Sequence, residues 1–374
     1  MTAPADRTPG EKVKMTVSER SPESLAAALA TWLADRLGTT PEISGVRVPE
    51  SGGLSSTSVL FEARWTSGGK HGSGSYVARM GPESSAVPVF PRYDLPGQFD
   101  LISQVAERCS VPLPALRWNE PAGGPVGTPF FVMDQVAGRV PLDNPPYVFG
   151  GWLFEAGPEQ RAALQRDSVA ILAQLHAIGE PRQAFPGLGP GGLRAHVEGQ
   201  REYYQWALAG DGIRIPVIER SFDWLEEHWP ADPGPDVLSW GDSRIGNIIY
   251  DGFTPVAVLD WEMAGIGPRE IDVAWFIFLH RFFQDIAEFF EHPGIPDFLR
   301  RADVESCYTE ISGYTPRDMD FYLLYATLRH AIVMARIKRR MIHFGEDEVP
   351  ADIDDYVMHR ASLDKMLDGT YRWD

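Results

Sequence analysis

Only two of the 374 residues are cysteines, Cys109 and Cys307. They lie far apart, fit no metal-ligand spacing and build no disulfide framework, so a reducing, cytoplasmic setting is expected. Long apolar runs are missing as well. No stretch approaches the roughly eighteen consecutive apolar residues that a membrane-spanning helix needs. The segment MTAPADRTPGEKVKM at the start has no apolar h-region and does not read as a signal peptide. Positive charge is in deficit: 34 Lys and Arg stand against 52 Asp and Glu, a net charge of −18. Nucleic-acid phosphates would be repelled by such a chain, which disfavours nucleic acid as a partner. The charge would suit a cationic substrate, and it also serves solubility alone. Zinc signatures of the H-E-x-x-H or paired C-x-x-C kind are absent, and so is a G-x-S-x-G nucleophile elbow.

What is present has the composition of a globular protein, 44% hydrophobic and 23% charged, and is long enough for two lobes. Residues 1–20 read as a loose polar tail. Ser21 then offers an N-cap, Pro22 an N1 residue and Glu23 a charge suited to the helix dipole, ahead of LAAALATWLADRLG. Strand signals follow at 46–48 and 59–61, a Gly/Ser-rich turn at 67–75, a short strand at Tyr76–Met80 and an apolar strand at 128–133. A helix is expected from about Gln98 to Glu107 between them. Beyond 136 the periodicity is helical, at 158–178, 196–208, 217–228, 271–290, 318–342 and 352–367. Residues 237–261 interrupt it with a polar loop and two strands, 248–250 and 256–259, joined by a turn at 251–255. The expected class is α+β: a small β-rich lobe over 21–136 and a larger helical lobe over 137–374.

The informative segment is SWGDSRIGNIIYDGFTPVAVLDWE, residues 239–262. Asp242 sits in a loop, Asn247 follows five residues later, and a hairpin delivers Asp260. Phosphoryl transfer needs such a set. One carboxylate orients the attacking hydroxyl and takes its proton, while an amide and a second carboxylate hold magnesium against phosphates. The alternative is that Asp242 and Asn247 are ordinary turn residues. The segment resembles the catalytic loop, hairpin and following acid of the aminoglycoside phosphotransferase family, whose loop reads His-Gly-Asp, four residues, Asn, and which has the protein-kinase-like two-lobe fold. That resemblance implies Asp242 as catalytic base, Asn247 and Asp260 as Mg²⁺ ligands, and Asp272 as a helix-borne brace. Trp240 stands where the family has His, which puts the support of the loop in question.

By the same resemblance, Gly52, Gly53, Ser55 and Ser56 would form the nucleotide-covering loop, and Arg79 would take the place of the phosphate-contacting Lys. Gln98 is the nearest match to its helix-borne partner. Met133, Asp134 and Val136 would form the adenine-binding hinge. The implied cofactors are ATP, with GTP as an option, and Mg²⁺. The implied partner is a small hydroxylated molecule. The wording LDWE with DVAW is especially similar to kinase domains found beside acyl-CoA dehydrogenases, which implies an acyl-CoA-linked hydroxyl alongside aminoglycosides. A nucleotide-binding pseudokinase acting as a regulatory module is the alternative. His176, on an apolar helical face, is read as a buried, hydrogen-bonded residue, and the basic run Arg336–Arg340 as a solvated face.

Overall fold

The computed structural model describes residues 20–49, 55–83 and 87–373. Helix α1 (Pro22–Leu37) starts where the Ser21 hydroxyl accepts from the Ser24 amide and ends at Gly38, in the left-handed conformation. Strands β1 (Glu42–Arg47), β2 (Thr57–Ser67), β3 (Lys70–Met80), β4 (Leu116–Glu120) and β5 (Phe130–Asp134) form an antiparallel sheet of order β1-β2-β3-β5-β4, with α2 (Leu95–Arg108) inserted after β3. Alternation along β2 buries Val59, Phe61 and Ala63 on one face. With Ala78, Met80, Phe130 and Val132 they pack against Leu25, Leu29, Trp32 and Leu33 of α1. Each buried Val, Leu, Phe or Met among them contributes roughly 1.5–3 kcal/mol of transfer free energy.

The helical lobe contains α3 (Pro158–His176), α4 (Pro181–Ala184), α5 (Leu193–Leu208), α6 (Pro216–Glu227), α7 (Glu270–Phe289), α8 (Arg301–Ser312), α9 (Met319–His343) and α10 (Arg360–Leu367). Between α6 and α7 lie two small antiparallel pairs. Strand β6 (Asp236–Ser239) pairs with β9 (Gly265–Pro268), and β7 (Ile248–Asp251) pairs with β8 (Thr254–Val258). Helices α7 and α9 pack together at the centre of the core, burying Trp275, Phe276 and Phe278 with Leu324, Leu328 and Ile332. Among the described residues no helix is long and apolar enough to cross a membrane.

The α+β, two-lobe expectation therefore holds, and several local expectations are corrected. The hairpin turn is Gly68-Gly69 alone, both at positive φ, and residues 70–75 belong to β3. The second hairpin turns at Gly252-Phe253, with Thr254 and Pro255 already in β8. Residues 352–367 do not form one helix: a 3₁₀ turn at Ile353–Tyr356 precedes α10, and Val357 is extended. The basic run on α9 is not a solvated face. Arg339 and Arg340 are buried, Arg336 donates to the Pro88 carbonyl, and Arg339 pairs with Asp211. The acidic stretch after it is spent on local pairs, Asp347 with Lys338 and Asp352 and Asp355 with Arg360.

Candidate active site

Strand β6 runs into a loop that is held from below by one carboxylate. Asp272, in the first turn of α7 and fully buried, accepts from the Ser239 hydroxyl (2.8 Å), the Trp240 amide (2.7 Å), the Gly241 amide (2.9 Å) and His176 Nε2 (3.0 Å). The Ser243 hydroxyl closes the set by donating to the Asp272 carbonyl. Burial alone would raise the Asp272 pKa, but the His176 hydrogen bond and the amide donors outweigh it and hold the carboxyl below its usual value. His176 is buried and hydrogen-bonded as expected, with Nδ1 on the Tyr308 hydroxyl. Gly241 sits at φ +90°, where a Cβ would lie 1.9 Å from the Met263 carbonyl oxygen, so only glycine fits. Asp272→Asn is expected to cost about 3 kcal/mol, because an amide must turn its NH₂ toward one of four buried donors. Urea unfolding checks this; a change within about 0.5 kcal/mol would contradict it.

On this base Asp242 is held at both carboxylate oxygens. The Trp275 indole N–H donates to Oδ1 (2.8 Å), while Asn247 Nδ2 (2.6 Å) and Arg244 Nε (3.1 Å) donate to Oδ2. Arg244 also reaches Asp143 (2.5 Å); burial works against its charge, and Asp242 and Asp143 more than reverse that. Asn247 lies in a 3₁₀ turn leading into β7, and its amide nitrogen also donates to the Asp242 carbonyl (3.0 Å). Its side-chain carbonyl oxygen takes no part in these two bonds and could hold a metal.

Asp260 follows β8 and is one of the non-glycine residues at positive φ, +59°. Such strain persists where the surroundings over-determine it. Here they do: the Trp240 indole N–H donates to the carbonyls of Leu259 (2.9 Å) and Asp260 (3.2 Å). The tryptophan in the family's His position, fully buried, thus ties the loop to the segment carrying Asp260. Arg79, buried on β3, donates Nη2 to both Asp260 oxygens (3.0 and 3.1 Å) and Nη1 to Ser58 (3.2 Å). Glu262 lies 3.6 Å from the same guanidinium and accepts from Ser55 (2.6 Å) and, more distantly, Ser56 (3.5 Å). Burial, then the neighbouring Asp260, pushes the Glu262 carboxyl up to about 8.

The expected helix-borne partner of Arg79 is not what stands beside it. Gln98 is buried on α2, and the carboxylates at Arg79 are Asp260 and Glu262. Gly52 and Gly53 lie outside the described residues. Met133 and Asp134 end β5, with Val136 just beyond. The Asp134 carboxylate pairs with Arg117, and its amide donates to the Ala115 carbonyl. Glu262, Arg244 and Trp275 were missed as site residues. Glu262 had a readable signal, two positions after Asp260 in LDWE; Trp275 had none, since its contact depends on the packing of α7.

A two-lobe kinase-like fold with such a loop defines a phosphotransferase class. The profile of the phosphotransferase enzyme family (APH) matches residues 49–301, and the chain belongs to that family. It is similar to the probable acyl-CoA dehydrogenase IBR3 of Arabidopsis thaliana, 24% identical over 339 residues, covering 84% of this chain and 39% of that one. The chain spans only 18–39% of the first curated relatives it matches. Among solved structures, a Ralstonia eutropha protein provisionally described as an aminoglycoside phosphotransferase has a TM-score of 0.63 at 20% identity, covering 91% of this chain and 96% of that one. The aminoglycoside phosphotransferase APH(4)-Ia, in ternary complex with AMP-PNP and hygromycin B, has a TM-score of 0.55 at 15% identity, covering 92% and 98%. These likenesses establish the fold.

Proposed function

We propose that the protein transfers the γ-phosphoryl group of Mg-ATP to a hydroxyl of a small molecule. The observation that carries this reading is the polar clamp on Asp242, with Asp260 tied to the same loop through Trp240. Asp242 orients the attacking hydroxyl and receives its proton. Asn247 and Asp260 supply hard oxygen ligands of the kind Mg²⁺ takes. On this reading the nucleotide phosphates complete the coordination of the metal. A bound magnesium would neutralise charge developing on the transferred group. On this reading Arg79, once released from Asp260, meets the phosphates with Ser55 and Ser56, while Gly52 and Gly53 of the expected covering loop lie outside the described residues. Met133, Asp134 and Val136 line the adenine side. Asp272, Trp240 and Gln98 support the two lobes from behind.

The nucleotide assignment draws on the similar fold that holds AMP-PNP, with GTP a second donor to assay. The relatives named as acyl-CoA dehydrogenases support an acyl-CoA-linked alcohol, and the structural neighbours an aminoglycoside. A cytoplasmic setting suits both donors. The pairing of Arg79 with Asp260 favours the rival pseudokinase reading, because the arginine must leave that carboxylate before it can serve phosphates. Magnesium-dependent ADP release over aminoglycosides, choline, homoserine and hydroxyacyl-CoAs separates the two. Substrate-dependent turnover establishes the kinase and selects its substrate class. ATP binding without turnover on a panel that includes both classes supports the pseudokinase.

A further inference from the structure

Arg329 of α9 is the most deeply buried cation near the site, 1% exposed. Its Nη2 donates to the Gly241 carbonyl at 3.0 Å. Its guanidinium carbon lies 4.5 Å from the Trp275 ring centroid. Nε and Nη1 are buried and, among the described residues, find no hydrogen-bond partner. Burial holds its pKa below the ordinary arginine value; Tyr325, then Asp272 and Asp242, act against that, and neither carboxylate is paired with it directly. The ion pairs of this chain place Arg79, Arg244 and Arg339 directly on carboxylates; Arg329 instead meets a carbonyl and a ring.

Such an arrangement costs stability. A buried charge without a paired opposite charge is unfavourable, and an apolar chain of similar volume usually serves packing as well or better. What the arginine does supply is geometry. It touches two neighbours of Asp242 at once: the carbonyl of the preceding residue, Gly241, and the ring whose N–H donates to Asp242 Oδ1. The planar guanidinium fixes the ring by lying against it while its fork reaches the backbone, which an ammonium group cannot do together.

We propose that Arg329 is a positioning residue for the phosphoryl-transfer site, holding the Trp275 indole and the Gly241 carbonyl so that Asp242 keeps one orientation. This rests on the kinase reading above. Small displacements of a reacting group cost on the order of 100-fold in rate. Arg329→Met is therefore expected to lower kcat by about 10- to 100-fold while the KM for ATP changes by less than about 3-fold. Its melting temperature should stay level or rise, since a buried unpaired charge is removed. Arg329→Lys, which keeps the charge and loses the plane, should recover little of kcat. In a Trp275→Phe background, Arg329→Met should cost less than about 3-fold more, because the link it acts through is already gone.

A second readout does not depend on turnover. In the full chain labelled with ¹⁵N-tryptophan, the Trp275 indole resonance is assigned by its loss in Trp275→Phe. Arg329→Met should shift it and speed its exchange with solvent; an unmoved resonance overturns the proposal even if kinase activity is never found. A lowered melting temperature with kcat intact, for Met or for Lys, equally overturns it and assigns Arg329 to packing alone. If the wild-type chain shows no phosphotransfer, the kinase reading fails separately, and the resonance alone decides the positioning role.

Discussion

Asp242→Asn should lower substrate-dependent ADP release by about 10²- to 10⁴-fold, the range a positioned proton acceptor contributes. The substitution is nearly isosteric, so the loop framework on Asp272 stays. What changes is chemistry at one atom. Asp242 now accepts from Trp275, Asn247 and Arg244, three donors converging on two oxygens. An amide accepts through one oxygen only, so its NH₂ is driven against one of the donors, and the group has no affinity for the hydroxyl proton. Nucleotide KM should move little, because Asp242 is not among the residues assigned to phosphate or adenine. Single-turnover product formation, followed by mass spectrometry with a melting curve as the folding control, is the measurement. A kcat within about tenfold of wild type would remove Asp242 from the role of base and leave it an electrostatic support.

The centre of this site was legible because its parts are contiguous. Asp242, Asn247 and Asp260 fall within 19 consecutive positions, and the hairpin between them is written in turn residues. What was not legible is what stands opposite each of them. Asp260 lies 181 positions from Arg79, and no local pattern announces that pair. The role of Trp240 was likewise closed to inspection: an indole N–H braces a loop only if a carbonyl stands within reach, and the two it finds belong to a different segment.

Fold errors have the same origin. Residues 70–75 are rich in Gly and Ser and read as a turn, yet pairing along the whole of β2 makes them strand, tertiary context overriding propensity. Helix α8 buries only Val304 and Tyr308, too few apolar positions to show a period. The 352–367 segment has helical composition, but the His359 ring turns inward to the Thr327 carbonyl and the chain breaks before it. Strands β4 (LRWNE), β6 (DVLS) and β9 (GIGP) lack the run of β-branched and aromatic residues that marks the equally short β5, β7 and β8.

Acid should destabilise the helical lobe steeply, and the reason is three histidines sealed in its core. His280, His330 and His359 are each under 9% exposed. Burial holds the imidazoles of His280 and His359 down to about 3 and about 4, and that of His330 well below its usual value. The charged neighbours do not rescue them. Arg281 faces His280 and Arg244 faces His330, both unfavourable to a second positive charge, and only Asp285 favours protonation of His359. The His330 and His359 rings lie 4.9 Å apart, each with a buried Nδ1 that lacks a partner among the described residues. All three folded-state values lie below the unfolded value of 6.5, so the unfolded chain takes up protons first as pH falls. Their contribution is complete above about pH 6.5 and is lost progressively as pH drops toward 4. Between pH 7 and 5 His280 and His359 should each cost about 2 kcal/mol and His330 adds in the same direction, while Glu262, raised to about 8, acts with the opposite sign and offsets part of the loss. Urea unfolding at half-unit pH steps measures the slope. His330→Phe, which keeps a ring among Phe278, Phe282 and Trp275, should flatten it by about one proton's worth. A stability constant from pH 7 to 5 would mean that these rings accept protons in the folded state, and that the packing between α7, α9 and the segment before α10 admits water where it is now closed.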